Sequence, residues 1–289
     1  MTAQPPSTPP QPEQPAEAVP TCYRHPDRET WVRCQRCERP ICPDCMRDAA
    51  VGFQCPECVA EGNRGIRQAR SAFGGAVVRT PYVTWTLLAV NVLVFGAQFL
   101  TGTTVTSMLG MHPGVVIVNG DYYRLLSAAF VHDGPFHILF NCWALYAVGP
   151  YLERAFGHVR FVALYLVSAF GGSVLGFWFD PLDTFTVGAS GAIFGLFGAV
   201  FVVGRRLNLD VRGIAVLLVI NLAITFIVPN ISWTGHIGGL ITGAALAAAL
   251  AYAPKNNRTL WQVLAIAAMV VLLVALVVTR TVTVLSALN

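Results

Sequence analysis

From residue 82 to residue 279 the chain is written almost wholly in apolar residues, interrupted at short intervals by glycine, proline and single charges. A helix that crosses a bilayer needs about 20 mostly apolar residues. The interruptions predict seven membrane helices, at about 82–100, 137–150, 159–179, 188–204, 213–229, 234–252 and 260–279. The second is short for a full span, so it is expected to share its outer end with a folded loop. Upstream the pattern changes. Residues 1–20 are rich in Pro, Gln and Ala. With no basic start, apolar run or small-residue cleavage site, they predict a disordered tail rather than a signal peptide. Residues 21–60 are polar and Cys-rich, and 61–80 form a basic linker carrying Arg64, Arg67, Arg70 and Arg79.

Composition sharpens this picture. Of 289 residues 55% are hydrophobic and only 12% charged, where soluble domains carry about a quarter charged residues. The chain is an all-α polytopic membrane protein with a soluble front end. Its net charge of +4 does not point to nucleic acid, because the arginines sit in the N-terminal region and in short loops, where they set topology. Placing the linker in the cytoplasm also places Arg154, Arg160, Arg205, Arg206, Arg212, Lys255 and Arg258 inside. Arg124 and Arg280 are left outside. The N-terminus is expected in the cytoplasm and the C-terminus outside.

Seven of the eight cysteines fall between positions 22 and 58. With His25 they make four pairs of two-residue spacing: Cys22/His25, Cys34/Cys37, Cys42/Cys45 and Cys55/Cys58. One tight turn can present two such ligands to one Zn²⁺, which takes four N/S ligands in a tetrahedron. Four pairs imply two structural zinc ions. Only four residues separate Cys37 from Cys42, too few for comfortable sequential sites. The expected sites are therefore interleaved: Cys22, His25, Cys42 and Cys45 on one ion, Cys34, Cys37, Cys55 and Cys58 on the other. A disulfide framework is the rival, and the reducing cytosol argues against it. The module's basic residues are offset by Asp27, Glu29, Glu38, Asp44 and Glu57, so a cytoplasmic protein is its expected partner and nucleic acid is not. Cys142, in a predicted membrane helix, reads as packing.

Polar residues inside membrane spans are costly and mark function or helix association. Under the charge-based topology His132, His137, Asn141, Ser190 and His236 share the outer side. Gly191 and Gly195 give the fourth helix a G-x-x-x-G face, and Gly235, Gly239, Gly243 and Ala247 give the sixth a small-residue stripe. Packing these faces would bring Ser190 to His236, a nucleophile beside its base. With no Asp or Glu in either helix, the arrangement is a dyad. Phe194, one turn after Ser190, could stack on the imidazole. His137 and Asn141, four residues apart, can donate to an oxyanion together with the Ser190 N–H. Taken singly, each residue has a plain reading: a membrane serine bonds its own backbone, His236 or Asn141 is interhelical glue, His132 is structural, and Arg124 is a loop charge meeting lipid phosphates.

Taken together, residues 80–252 resemble the rhomboid intramembrane serine proteases. The matching motifs are Tyr123-Arg124, His132, His137, Asn141, Gly188-Ala189-Ser190-Gly191, and His236-Ile237-Gly238-Gly239 with Gly243. Leu152-Glu153-Arg154 and Gly157 match the family's cytoplasmic-side loop. The family has Trp at the position of Tyr123 and Tyr at that of Phe194; both replacements keep a ring, and Phe194 lacks the hydroxyl. The resemblance implies a six-helix core over 81–252, an extra C-terminal helix and tail over 253–289, Ser190 as nucleophile, His236 as base, and no cofactor for catalysis. It implies transmembrane protein substrates, single-span or other, in contact with membrane lipid, and a bacterial inner-membrane enzyme. The front module resembles a B-box-type zinc finger, with Cys55 and Cys58 where that family has histidines. A catalytically inactive rhomboid-like binder or chaperone is the alternative, and it would be expected to lack Ser190 or His236. A transporter would need polar residues across the whole bilayer, not at one face.

Overall fold

The structure, a computed structural model, describes residues 18–64, 69–228 and 231–288. Most of the expected tail, and Arg67 of the expected linker, lie outside the described residues. The chain divides into two compact units at Gln68/Ala69.

The first unit is built from short pieces: a single 3-10 turn at Pro43–Cys45, an antiparallel pair of strands, β1 (Arg47–Asp48) and β2 (Phe53–Gln54), and helix α1 (Pro56–Arg64). Its interior consists of Ile41 and six cysteines, edged by Tyr23, Cys37 and Met46. One aliphatic side chain cannot offset the entropy of ordering such a module, so the sulfur atoms must hold it by other means.

The second unit is helical: α2 (Tyr82–Thr101), α3 (Thr104–Leu109), α4 (Pro113–Asn119), α5 (Arg124–Ser127), α6 (Pro135–Phe156), α7 (His158–Phe179), α8 (Ser190–Arg206), α9 (Arg212–Ile227), α10 (Trp233–Ala251) and α11 (Arg258–Leu288). All seven expected membrane helices are present, and α2, α7, α10 and α11 are long and apolar enough to cross a bilayer. The short helices α3, α4 and α5 fold the loop between α2 and α6.

Three boundaries depart from expectation. Helix α6 is 22 residues long and runs through Pro150, because its polar end is internal. The carboxylate of Glu153, fully buried, accepts from Val83 N–H at 3.0 Å, Thr84 N–H at 2.8 Å and Thr84 Oγ1 at 2.6 Å, and pairs with His158 Nδ1 at 2.5 Å. It thereby caps the start of α2. Helix α11 continues past Arg280, whose guanidinium folds back over the Trp178 ring at 5.8 Å instead of ending the span. Residues 69–80, expected as linker, are packed in this unit: Phe73 is buried against Phe156 with ring centroids 4.9 Å apart, and its carbonyl accepts from Gln262 of α11 at 2.9 Å.

Helices α7, α8 and α10 form the centre, in backbone contact. A Cβ on Gly172 of α7 would lie 2.6 Å from the Gly235 carbonyl of α10, and one on Gly238 of α10 would lie 2.6 Å from the Gly171 carbonyl of α7. Gly239 and Gly243 of α10 meet Gly191 and Gly195 of α8 more closely still. In lipid no hydrophobic force drives apolar helices together, and close approach across small residues supplies the packing. Helix α9 lies outside this centre; its buried residue is Thr225.

Candidate active site and metal groups

Ser190 is the first residue of α8, so its N–H and the next two have no partner within the helix. Gly188 makes the turn into α8 at φ +125, a backbone that L side chains rarely adopt. A Cβ there would lie 2.6 Å from His137 Nε2 and 3.7 Å from Ser190 Oγ; the bare glycine thus lets the imidazole of His137 approach the serine. His236 sits in the first turn of α10, whose N-cap is Ser232, with Oγ accepting from Gly235 N–H at 3.1 Å. The His236 ring is buried and stacks on Phe194, with centroids 4.1 Å apart and planes 14° apart. Phe194 is one turn from Ser190 on α8, and Gly191, next to the serine, faces the Gly235 carbonyl, next to the histidine. Among the described residues no hydrogen bond joins Ser190 Oγ to His236.

His137 and Asn141 share one face of α6. Asn141 Nδ2 donates to the His137 carbonyl at 2.9 Å. His137 Nδ1 accepts from Asp133 N–H at 3.1 Å, so a neutral ring keeps its proton on Nε2, the nitrogen near Gly188 and Ser190. A small cavity of about 30 Å³ beside Ser190 is lined by Met111, Gly172, Gly188, Ser232 and Gly235, room for a water molecule.

His132 stands one step back. Its backbone exchanges two 3.0 Å hydrogen bonds with the Gln98 side chain, and its ring meets His137 edge-on at 5.2 Å. Burial, with His137 beside it, pushes its pKa down to about 4. Arg124 is buried. It pairs with Asp121 at 3.0 Å and donates to the Ser107 and Gly110 carbonyls, so it holds the loop between α2 and α6 together instead of standing as a free loop charge. Sequence reasoning missed Gln98, and it missed Thr225, whose hydroxyl lies 2.7 Å from His236 Nδ1. Neither announces its role locally, since the Gln98–His132 and Thr225–His236 contacts join separate elements.

In the first unit two groups of four ligand atoms gather, Cys22, His25, Cys42 and Cys45, and Cys34, Cys37, Cys55 and Cys58, each within 4.8 Å of one another. His25 Nδ1 lies 3.8, 3.3 and 3.5 Å from the sulfurs of Cys22, Cys42 and Cys45, and Cys37 and Cys55 sulfurs are 3.7 Å apart. A tetrahedron with metal–S near 2.3 Å and metal–N near 2.0 Å has edges of about 3.6–3.8 Å, so the donor sets fit a tetrahedral ion. Burial opposes the thiolate at Cys22 and Cys34, yet backbone N–H donors hold both down at about 6. Burial and the neighbouring sulfurs push Cys45 up to about 11 and Cys58 up to about 12. Each group thus sets thiolate beside thiol, and a central cation would displace the remaining protons. Arg39 supports the second group: Nε donates to Cys37 Sγ at 3.2 Å, while the guanidinium pairs with Glu57 at 2.5 Å and lies 4.3 Å from the Tyr23 ring centroid.

Comparison with known proteins places this geometry. The Rhomboid domain family profile matches residues 119–253. Rhomboid protease GluP of Bacillus subtilis (strain 168) is 40% identical over 179 residues, 59% of this chain and 35% of GluP. YdcA of the same organism is 38% identical over 135 residues, 45% of this chain and 68% of YdcA. RHOMBOID-like protein 4 of Arabidopsis thaliana is 33% identical over 158 residues, 52% of this chain and 40% of that protein. The chain therefore spans about a third of GluP and two thirds of YdcA.

Proposed function

We propose, because this chain belongs to the rhomboid family, that it is a serine endopeptidase cutting peptide bonds in or beside transmembrane helices. Ser190 is the nucleophile and His236 the base. One observation carries the reading: the His236 ring is stacked on Phe194, a single turn from Ser190, where α8 and α10 meet through bare glycines.

In the first step Ser190 Oγ attacks the scissile carbonyl carbon while its proton passes to His236. The carbonyl electron pair moves onto oxygen, which the His137 Nε2–H, Asn141 Nδ2 and the Ser190 N–H are arranged to receive. Collapse breaks the C–N bond as His236 returns the proton to the leaving amine. Water then hydrolyses the acyl-serine by the reverse sequence. A helical peptide bond is shielded and internally bonded, so the substrate must unwind locally at the cut.

The first unit holds two structural Zn²⁺ ions, by the fit of its donor sets, and offers a surface for a cytoplasmic protein. The membrane is a bacterial inner membrane, with the N-terminus inside and the C-terminus outside. A non-catalytic binder draws on one observation, the missing hydrogen bond between Ser190 and His236. Catalytic hydrogen bonds are often long before substrate arrives and tighten in the complex, so the protease reading is favoured. Purified protein in lipid, given a designed single-span substrate, decides between them. Ser190→Ala and His236→Ala should each abolish cleavage in a folded protein, and a fluorophosphonate should label Ser190. Cleavage that survives in Ser190→Ala removes the assignment.

A further inference from the structure

Only one ring nitrogen of His236 can take the serine proton, and the structure shows what occupies the other. Nδ1 lies 2.7 Å from Thr225 Oγ1 on α9. The same hydroxyl lies 2.8 Å from the Asn221 carbonyl, one turn earlier on α9. A threonine hydroxyl has one proton and a carbonyl can only accept, so that proton belongs to the Asn221 bond. The contact with His236 must then run the other way, Nδ1–H donating and Oγ1 accepting. A neutral imidazole protonated on Nδ1 carries its lone pair on Nε2.

We propose that Thr225 is a positioning residue for His236, fixing the tautomer and ring orientation that leave Nε2 free to accept the Ser190 proton. This rests on the reading of Ser190 and His236 given above. Two restraints then act on the ring from different sides. Stacking on Phe194 sets its plane, and the Thr225 bond sets its rotation within that plane. Serine proteases built on a triad give this task to a carboxylate. Here a neutral hydroxyl does it, at far lower desolvation cost inside a membrane. Thr225 is the one side chain that α9 buries, at 3% exposure. As the proton moves from Ser190 Oγ to Nε2 and the O–C bond forms, the ring becomes a cation whose Nδ1–H stays on Thr225. When the C–N bond breaks, the Nε2 proton leaves with the amine and the neutral tautomer is restored. Of the groups facing His236, Phe194 and Thr225 are uncharged, and His137 of α6, with Asp133 behind it, is the titratable neighbour.

The test compares Thr225→Val, which keeps the β-branched shape and removes the acceptor, with Thr225→Ser, which keeps the hydroxyl. Both are measured in lipid on the designed single-span substrate, beside wild type and Ser190→Ala. Thr225→Val should lower kcat by about 10- to 100-fold, the worth of a hydrogen bond to a charged group, with KM nearly unchanged. The acid limb of its pH–kcat profile should move to lower pH, because the imidazolium loses an acceptor. Thr225→Ser should restore both kcat and limb. Spectra of ¹⁵N-histidine-labelled protein, with the His236 signal assigned by its loss in His236→Ala, should show Nδ1 protonated in wild type and a shift toward Nε2–H in Thr225→Val. That spectral readout stands even if the valine variant is inactive. Wild-type kcat and acid limb in Thr225→Val, equal losses in the valine and serine variants, or an unchanged tautomer would each overturn the proposal. Cleavage by Ser190→Ala would instead overturn the catalytic reading on which it rests.

Discussion

Adding one methyl group at a helix contact, touching neither Ser190 nor the His236 ring, should disable this site. A Cβ on Gly238, two residues after His236, would lie 2.6 Å from both the Gly171 carbonyl oxygen and the Leu175 Cβ of α7. Both obstacles are fixed to the backbone, so neither can swing aside. Ordinary contact begins at 3.4 Å, and the shortfall is 3.4 − 2.6 = 0.8 Å. In Gly238→Ala α10 must move away from α7 by about that much, carrying His236 with it. Overpacking costs about 1–3 kcal/mol, and the better helix propensity of alanine returns about 1 kcal/mol. Net destabilisation is then about 0–2 kcal/mol, a fall in Tm of at most about 4–8 °C. A misplacement near 1 Å, however, costs on the order of 100-fold in rate. The expected outcome is a near-normal melting curve with kcat down about 10- to 100-fold. The control is Gly96→Ala on α2, where an added Cβ meets nothing within 4 Å and kcat should not change. Thermal unfolding in detergent and cleavage in lipid are measured on the same preparations. Full kcat in Gly238→Ala, or a loss matched by the fraction unfolded, would refute the view that glycine contact sets the dyad's geometry.

Four further outcomes are expected. Elemental analysis should find two zinc ions per chain. Because Cys45 and Cys58 are pushed up to about 11 and 12, binding at neutral pH should release protons, and affinity should rise with pH and fall in acid; pH-independent binding would contradict this. Cys34 and Cys37 of one group lie between His25 and Cys42 of the other, so Cys42→Ser should empty both sites, whereas one retained zinc would indicate independent sites. In the second unit, Glu153→Gln puts an amide N–H₂ in place of one carboxylate oxygen, facing either Val83 N–H and His158 or the N–H and hydroxyl of Thr84, and should cost about 2–3 kcal/mol, read as a lowered Tm in detergent; an unchanged Tm would show that the cap of α2 contributes little.

The helices were legible because span length is a direct reading of apolar run length, and the metal pairs because two-residue spacing is local. Ser190, Phe194 and His236 were legible because glycine periodicity announces where two helices touch. What escaped has a common cause. Glu153 looks like a loop residue, and only its partners some 70 positions earlier, Val83 and Thr84, mark it as buried at the end of a helix. Gln98 looks like a stray amide, yet it holds the backbone of His132, 34 residues away. Thr225 was the hardest to see. A threonine that bonds its own i−4 carbonyl is the ordinary state of threonine in a membrane helix, and that bond is present. Its second partner, on another helix, has no sequence signature.

The frame and the base are held differently, and the difference bears on how the site works. Ser190 and the proposed oxyanion donors His137 and Asn141 belong to α8 and α6 beside the Gly188 turn, fixed by backbone approach that tolerates little movement. His236 is anchored on α10 but restrained at its ring by one flat face and one hydrogen bond. Stacking resists tilt far more than sliding, and a hydrogen bond resists stretching far more than pivoting. The ring turns only about its Cα–Cβ and Cβ–Cγ bonds, and the stack on Phe194 with the Thr225 bond leaves a small adjustment of those torsions as the cheapest motion of Nε2. Such a ring can rest without a bond to Ser190 and close on it when substrate enters, without any helix changing place. On the proposed reading, a shift of the ring, rather than of the frame, is then what completes the dyad.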